Sequence, residues 1–201
     1  YLQFQFSRQW QRLRHRARER GLSILGDLPI YVAANSAEVW AHRELFDLDA
    51  GGRPRAVAGV PPDAFSSTGQ LWGNPLYRWD LHADENYQWW VDRLKTVFSM
   101  VDIVRLDHFR GFVDYWEIPA GEETAIHGRW VDGPGADFLS VIKKELGGLP
   151  IIALSPATVA EAYELTYRAF NLAEKYRAPV FLLTNKAIGM TKEPVSSTTS
   201  T

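Results

Sequence analysis

Arg105, Asp107 and His108 close a β-branched apolar run, Val101-Asp102-Ile103-Val104-Arg105-Leu106-Asp107-His108-Phe109-Arg110-Gly111-Phe112, and charge at the end of such a run is costly unless it is used. Side chains alternate across a strand, so Ile103, Arg105 and Asp107 share one face while Val104 and Leu106 share the other. The guanidinium then lies beside the carboxylate and favours its ionised form. An ionised Asp at the C-terminal end of a barrel-type strand is suited to nucleophilic attack. The same two residues also fit an ion pair that ties a strand end to a loop, and spacing alone does not choose between these readings.

A second group of candidates lies upstream. Between Leu45 and Asp80 neither helical nor strand periodicity is visible, yet the segment is rich in Gly, Pro and Trp. A long irregular segment inside a compact domain is usually functional or disordered, and these residues argue against disorder. Gly69-Gln70-Leu71-Trp72-Gly73-Asn74-Pro75-Leu76-Tyr77 combines an aromatic face with amides. Aromatic rings cover the apolar faces of sugars, and amides or carboxylates take the hydroxyls. Gln70, Trp72 and Asn74 are therefore candidate sugar contacts, and the alternative is an Ω-type loop packed on itself.

The elements that position these residues follow α/β grammar. Phe6, Trp10, Leu13 and Ala17 recur at helical spacing over Ser7 to Arg20, with Gly21 as the C-terminal cap. The arginines at 8, 12, 14, 16, 18 and 20 are expected on a solvated outer face rather than in a nucleic-acid patch. A strand over Leu22 to Ile30 carries Asp27 and leads to Asn35, and Ser36 opens a helical turn through Trp40. Asp84 is expected to cap a helix with the stripe Tyr87, Trp90, Val91, Leu94, Val97 and Phe98. Beyond Asp107, Tyr115 to Pro119 reads as a mixed aromatic loop, followed by a helix over Ala136 to Leu146 and a strand over Leu149 to Ala153.

Composition bounds the function. In 201 residues, 46% are hydrophobic and 23% charged, the balance of a soluble globular protein, and the net charge of −2 gives no case for binding nucleic acid or an acidic membrane surface. There is no cysteine, which removes disulfides and thiolate chemistry and fits a reducing, cytoplasmic setting. No apolar run is long enough to span a membrane. No metal and no cofactor is expected. The chain starts at Tyr1 and its methionines are Met100 and Met190, so it reads as a piece of something longer. Residues 191–201, which end in a run of Ser and Thr, read as a disordered tail.

Residues 1 to about 153 resemble the middle of amylomaltases, the 4-alpha-glucanotransferases. The resemblance rests on Gly26-Asp27-Leu28-Pro29-Ile30-Tyr31-Val32, Val57-Ala58-Gly59-Val60-Pro61-Pro62-Asp63, the Gly69 to Tyr77 segment, Arg105-Leu106-Asp107-His108-Phe109-Arg110-Gly111 and Tyr115-Trp116-Glu117-Ile118-Pro119-Ala120. It implies part of a (β/α)₈ barrel and transfer of α-1,4-glucan chains through a covalent glycosyl-enzyme. Asp107 then matches the nucleophile and Arg105 its charged partner, while Asn35, Gln70, Trp72, Asn74 and His108 fall at substrate-binding positions. The implied ligand is an α-1,4-glucan or malto-oligosaccharide.

Departures from that family are specific. Where its strand runs on into Glu-Asp-Leu-Gly, whose Glu is the general acid/base, this chain has Leu154-Ser155-Pro156. Asn35 stands where the family has an Asp, and Ala64 where it has a Tyr. Residues 154–190 resemble instead the α subunit of 2-oxoacid:ferredoxin oxidoreductases, through Glu161-Ala162-Tyr163-Glu164-Leu165-Thr166 and Phe170-Asn171-Leu172-Ala173-Glu174-Lys175-Tyr176, with a helix over 158–176 and a strand over Pro179 to Thr184. The expected fold is α/β, a partial (β/α) barrel or open parallel sheet with about four strands, whose open edge invites self-association. The expected protein is a chimera joined near Ala153-Leu154-Ser155 and catalytically incomplete. The alternatives are a non-catalytic glucan-binding or structural domain, or an oxidoreductase fragment.

Overall fold

The computed structural model describes residues 1–63, 66–147, 152–154, 171 and 180–182. The chain divides into two compact units, Tyr1–Gly147 and Gly148–Thr201. In the first, helix α1 (Leu2–Glu19) leads through Gly21, at φ +69°, into strand β1 (Leu25–Pro29). Helix α2 (Ala37–Ala41) begins at Ser36, whose hydroxyl accepts from the Val39 amide, as the sequence predicts. Strands β2 (Ala56–Val60) and β3 (Gln70–Pro75) follow, then helices α3 (Trp79–Asp84) and α4 (Gln88–Met100), then β4 (Ile103–Asp107). Strands β5 (Asp114–Pro119) and β6 (Arg129–Asp132) and helix α5 (Gly135–Glu145) complete the unit. In the second unit β7 (Ile152–Leu154) and β8 (Val180–Leu182) pair in parallel, with Leu154 opposite Leu182. Of the helix expected over 158–176, Asn171 alone lies among the described residues, and it is helical.

β1 and β4 form a parallel pair with Leu25 opposite Ile103, Asp27 opposite Arg105 and Pro29 opposite Asp107. Leu28, Val104 and Leu106 on one face are buried, while Leu25, at 64% exposure, and Ile103, at 37%, lie with the charged residues on the other. This is the alternation expected for β4. The segments at 45–80 and 115–119 depart from expectation. With β6 they form a four-stranded antiparallel sheet in the order β3-β2-β5-β6, so much of what reads as loop is paired strand. The pattern is hidden because its strands are short and carry Gly59, Gly73, Pro75 and Pro119, and because Ala56 and Ala58 are buried without being large.

Two helix expectations are also corrected. Asp84 ends α3, and α4 starts instead at Tyr87 in a left-handed conformation with φ +54°. On α1, Phe6 and Leu13 are more than half exposed, and no residue of the helix is buried among the described residues. Its arginines are not all solvated. Arg14 donates to the carbonyls of Phe98 (3.2 Å), Ser99 and Val101 (2.8 Å), and the Trp10 indole donates to Met100 (2.7 Å). These carbonyls end α4 without intrahelical partners, and a cation there also meets the negative end of the helix dipole.

The core is aromatic. Trp90, Phe112 and Phe138 are fully buried, the two Phe rings stack with centroids 4.7 Å apart, and Trp90 meets both edge-on. His82 sits among them at 1% exposure, against Tyr77, Trp79 and Trp89. Neither of its ring nitrogens has a hydrogen-bond partner of good geometry. Burial pushes its pKa down to about 4, against a weaker upward pull from the Leu45 carbonyl and Asp80. The folded state therefore favours neutral imidazole, so this contribution to stability is complete above pH 6.5 and is lost as pH falls toward 4. Denaturant titrations are expected to show a loss of about 2 kcal/mol between pH 7 and pH 5 from this group, and a much smaller loss in His82→Phe.

Candidate functional site

The β1–β4 register places Arg105 between two carboxylates. Its Nη1 donates to Asp27 Oδ2 at 2.8 Å and its Nη2 to Asp107 Oδ1, with all three side chains about half exposed. The Arg105–Asp107 pair follows from the i, i+2 spacing. The Asp27 contact does not, because it needs the partner strand. Exposed ion pairs contribute little to stability, so the arrangement is better understood as orienting two carboxylates on one surface. Gly26 makes room for Val101, the residue that closes α4, since a Cβ there would lie 2.9 Å from Val101 Cγ2.

His108 follows in a left-handed conformation, φ +50°, which is uncommon outside glycine and is found at constrained sites. The turn swings its ring off the strand and edge-on to Trp72, with centroids 4.8 Å apart. Burial lowers its pKa, against the attraction of Asp107, which favours the neutral ring at pH 7. Trp72 arrives from β3, where Gln70 shares its face, and the indole Nε1 donates to Gln70 Oε1 at 3.0 Å. Trp72 is 38% exposed. The aromatic residue of one sheet and the charged residues of the other thus meet through His108.

The remaining candidates are distributed differently. Asn74 Nδ2 donates to the Val32 carbonyl at 2.9 Å, so half of its amide holds β3 against the segment after β1. Asn35 lines a separate cavity of about 230 Å³ with Trp40, Arg43 and Gly52. Tyr31 was not singled out by its spacing. Its ring is 6% exposed and lies 6.2 Å from Trp72 and 6.4 Å from His108, a neighbourhood created by two chain crossings. Among the described residues no group of three or more His, Cys, Asp or Glu is placed to hold a metal. No helix among them is long and apolar enough to cross a membrane.

The family model for 4-alpha-glucanotransferase matches residues 1–170. This chain belongs to that family. It is 54% identical over 153 residues to the 4-alpha-glucanotransferase of Aquifex aeolicus, covering 76% of this chain and 32% of the relative. It is 48% identical over 172 residues to that of Thermus thermophilus, covering 86% and 34%. Among solved structures, the amylomaltase from Streptococcus agalactiae in complex with acarbose superposes with a TM-score of 0.73 at 45% identity, over 89% of this chain and 35% of that one. The chain therefore spans about a third of the length of the 4-alpha-glucanotransferases it matches. Its fold is an α/β portion of their barrel, with the antiparallel sheet attached. The match runs to residue 170, beyond the join expected near Ala153-Leu154-Ser155.

Gly59 holds the sheet that presents Trp72. A Cβ there would collide with the Gln70 carbonyl on β3 and with Ile118 Cδ1 on β5. Because backbone cannot yield as a side chain does, Gly59→Ala is expected to destabilise the chain by about 1–3 kcal/mol. It should also shift tryptophan emission as β3 is pushed from His108. Denaturant melts read with emission spectra check both.

Proposed function

We propose that this chain is a malto-oligosaccharide-binding portion of a 4-alpha-glucanotransferase that carries the nucleophile but does not turn over by itself. The observation that supports this most is Arg105 held between Asp27 and Asp107, one turn from the His108 ring set against Trp72. In this reading Asp107 attacks the anomeric carbon and Arg105 holds its carboxylate in position. Trp72 offers an aromatic face, His108 a neutral ring, and Gln70 the free amine of its amide. Asn74 contributes its remaining amide oxygen, and Asn35 is assigned to an outlying sugar unit on the strength of the family position alone.

A retaining transfer needs two carboxyl groups roughly 5–5.5 Å apart: the C1–oxygen bond breaks as an Asp–C1 bond forms, and an acid protonates the departing oxygen. Leu154 stands at the strand end where the family places that acid, and it has no proton to give. General acid/base help is worth roughly 10²–10⁴-fold. The chain is therefore expected not to disproportionate maltotriose above background. Product chromatography after long incubation tests this, and a ladder of longer maltodextrins that vanishes in Asp107→Asn would refute it.

Binding is separable from turnover. Maltoheptaose is expected to perturb tryptophan emission, and Trp72→Ala to weaken that response by at least about fivefold, as stacking contacts of about 1 kcal/mol or more imply. An unaltered response in Trp72→Ala would remove Trp72 from the account, and no response in the wild type would favour a purely structural domain. The edges of the β1–β4 pair, with Leu25 and Ile103 exposed, support self-association. Size-exclusion chromatography is expected to show species larger than a monomer that grow with concentration.

The assignment of 154–190 to an oxidoreductase-like segment, and of the whole to a chimera, is also a proposal. It draws on the Glu161 to Thr166 and Phe170 to Tyr176 motifs and on the parallel β7–β8 pair, which suits a βαβ unit.

A further inference from the structure

We propose that the Tyr31 hydroxyl is a specificity-determining contact for a neutral sugar hydroxyl, on the reading that the Trp72–His108 surface binds glucan. The phenol ring is fixed from behind. It stacks on Tyr77 with centroids 6.0 Å apart and an interplanar angle of 18°, and Tyr77 is itself held by donating to the Ile30 carbonyl at 2.6 Å. Toward the site it meets Trp72 and His108. Gly111 leaves room at the hydroxyl end. A Cβ there would lie 3.4 Å from Tyr31 Oη and 3.2 Å from His108 Cδ2, so the hydroxyl lies beside the His108 ring at the turn after β4.

Tyr77 and Tyr31 are packed alike but differ in their polar ends. The Tyr77 hydroxyl donates to one carbonyl and accepts from Arg93, whereas the Tyr31 hydroxyl has no hydrogen-bond partner among the described residues. Burial holds the Tyr31 phenol in its protonated form, raising its pKa well above the usual range. The ring is buried, but the hydroxyl is not among the fully buried unpaired polar atoms, so it keeps contact with solvent and can exchange that for a hydrogen bond to a ligand. Its neighbours select which partner. Trp72 and neutral His108 offer ring surfaces without net charge, and the hydroxyl offers one donor, a combination suited to a polyol rather than an anion. A site built to pair with a substrate hydroxyl discriminates strongly against an analogue that lacks it. Tyr31 touches no reacting atom in this proposal and acts on affinity alone.

The test is calorimetric titration of the full chain with maltoheptaose for wild type, Tyr31→Phe and Trp72→Ala, with thermal melts alongside. Tyr31→Phe keeps the ring, and it is expected to bind about three- to tenfold more weakly at an unchanged melting temperature. Monodeoxy maltotrioses supply a readout that a packing role would not move. One of them is expected to lose affinity for wild type and to lose no more for Tyr31→Phe. Equal affinity of wild type and Tyr31→Phe, with Trp72→Ala weakened, overturns the Tyr31 role and leaves the glucan reading standing. Absence of maltoheptaose binding to wild type overturns both. Should Tyr31→Phe melt lower, the deoxy series on wild type decides, since equal loss or no loss at every position excludes a dedicated hydroxyl partner.

Discussion

The Asp102 carboxylate fixes the register on which the site depends. Its Oδ2 accepts from the Ile24 amide at 3.0 Å, and its Oδ1 accepts from Arg14 and from Arg18. Its own amide donates to the Ile24 carbonyl at 2.9 Å. Ile24 and Asp102 stand one residue ahead of the Leu25–Ile103 pair, so this junction sets Asp27 opposite Arg105 three residues later. A slip of one residue would turn every side chain of the strand to the other face. Arg105 would then be driven in beside Leu28, and Leu106 would be turned out to the exposed face. The Ile24 amide and the two arginines hold the Asp102 carboxyl well below the usual carboxylate range, which favours the ionised junction at neutral and mildly acidic pH.

Arg14 couples that junction to the end of α4. One guanidinium reaches Asp102 and the carbonyls of Phe98, Ser99 and Val101, which brings α1, α4 and the start of β4 to a single point. Substitution by Lys would not preserve this, because an ammonium lacks the planar fork that spans several acceptors. The arrangement explains a helix with no buried residue. α1 is held at its polar face by directed hydrogen bonds, while its apolar residues Phe4, Phe6 and Leu13 remain exposed.

The second constraint is aromatic packing, which brings the antiparallel sheet to the strand ends. Tyr77 follows β3, stacks on Tyr31 and bonds to the Ile30 carbonyl, while Arg93 of α4 donates to the carbonyls of Pro29 and Ile30 and lies over Trp90. With Asn74 on the Val32 carbonyl, three side chains fix the backbone that leaves β1. Trp72 reaches His108 because β3 is anchored this way. On the far side, Arg110 is clamped by Asp114 and lies 3.9 Å from the centre of the Trp130 ring, which holds the turn after Asp107 against β6.

What the sequence determined by itself was local: the alternation that puts Arg105 and Asp107 on one face, the Ser36 cap, the α5 helix closed at Gly147, and the motifs of a 4-alpha-glucanotransferase. Each depends on residues within a few positions of one another, where the backbone period dictates the neighbours. Tertiary structure decided the rest. Asp27 becomes the second carboxylate on Arg105 through pairing between residues 78 apart in the chain. Tyr31 gains its ring neighbours where β1, β3 and the turn after β4 converge, and Asn35 is directed to another cavity. The strand over Ala56–Val60 carries too few large apolar residues to announce itself, because its burial comes from Ala and Gly, and the strand that carries Trp72 is mostly exposed. Their pairing is set by close backbone approach and by aromatic packing across the sheet, quantities that no window along the chain contains.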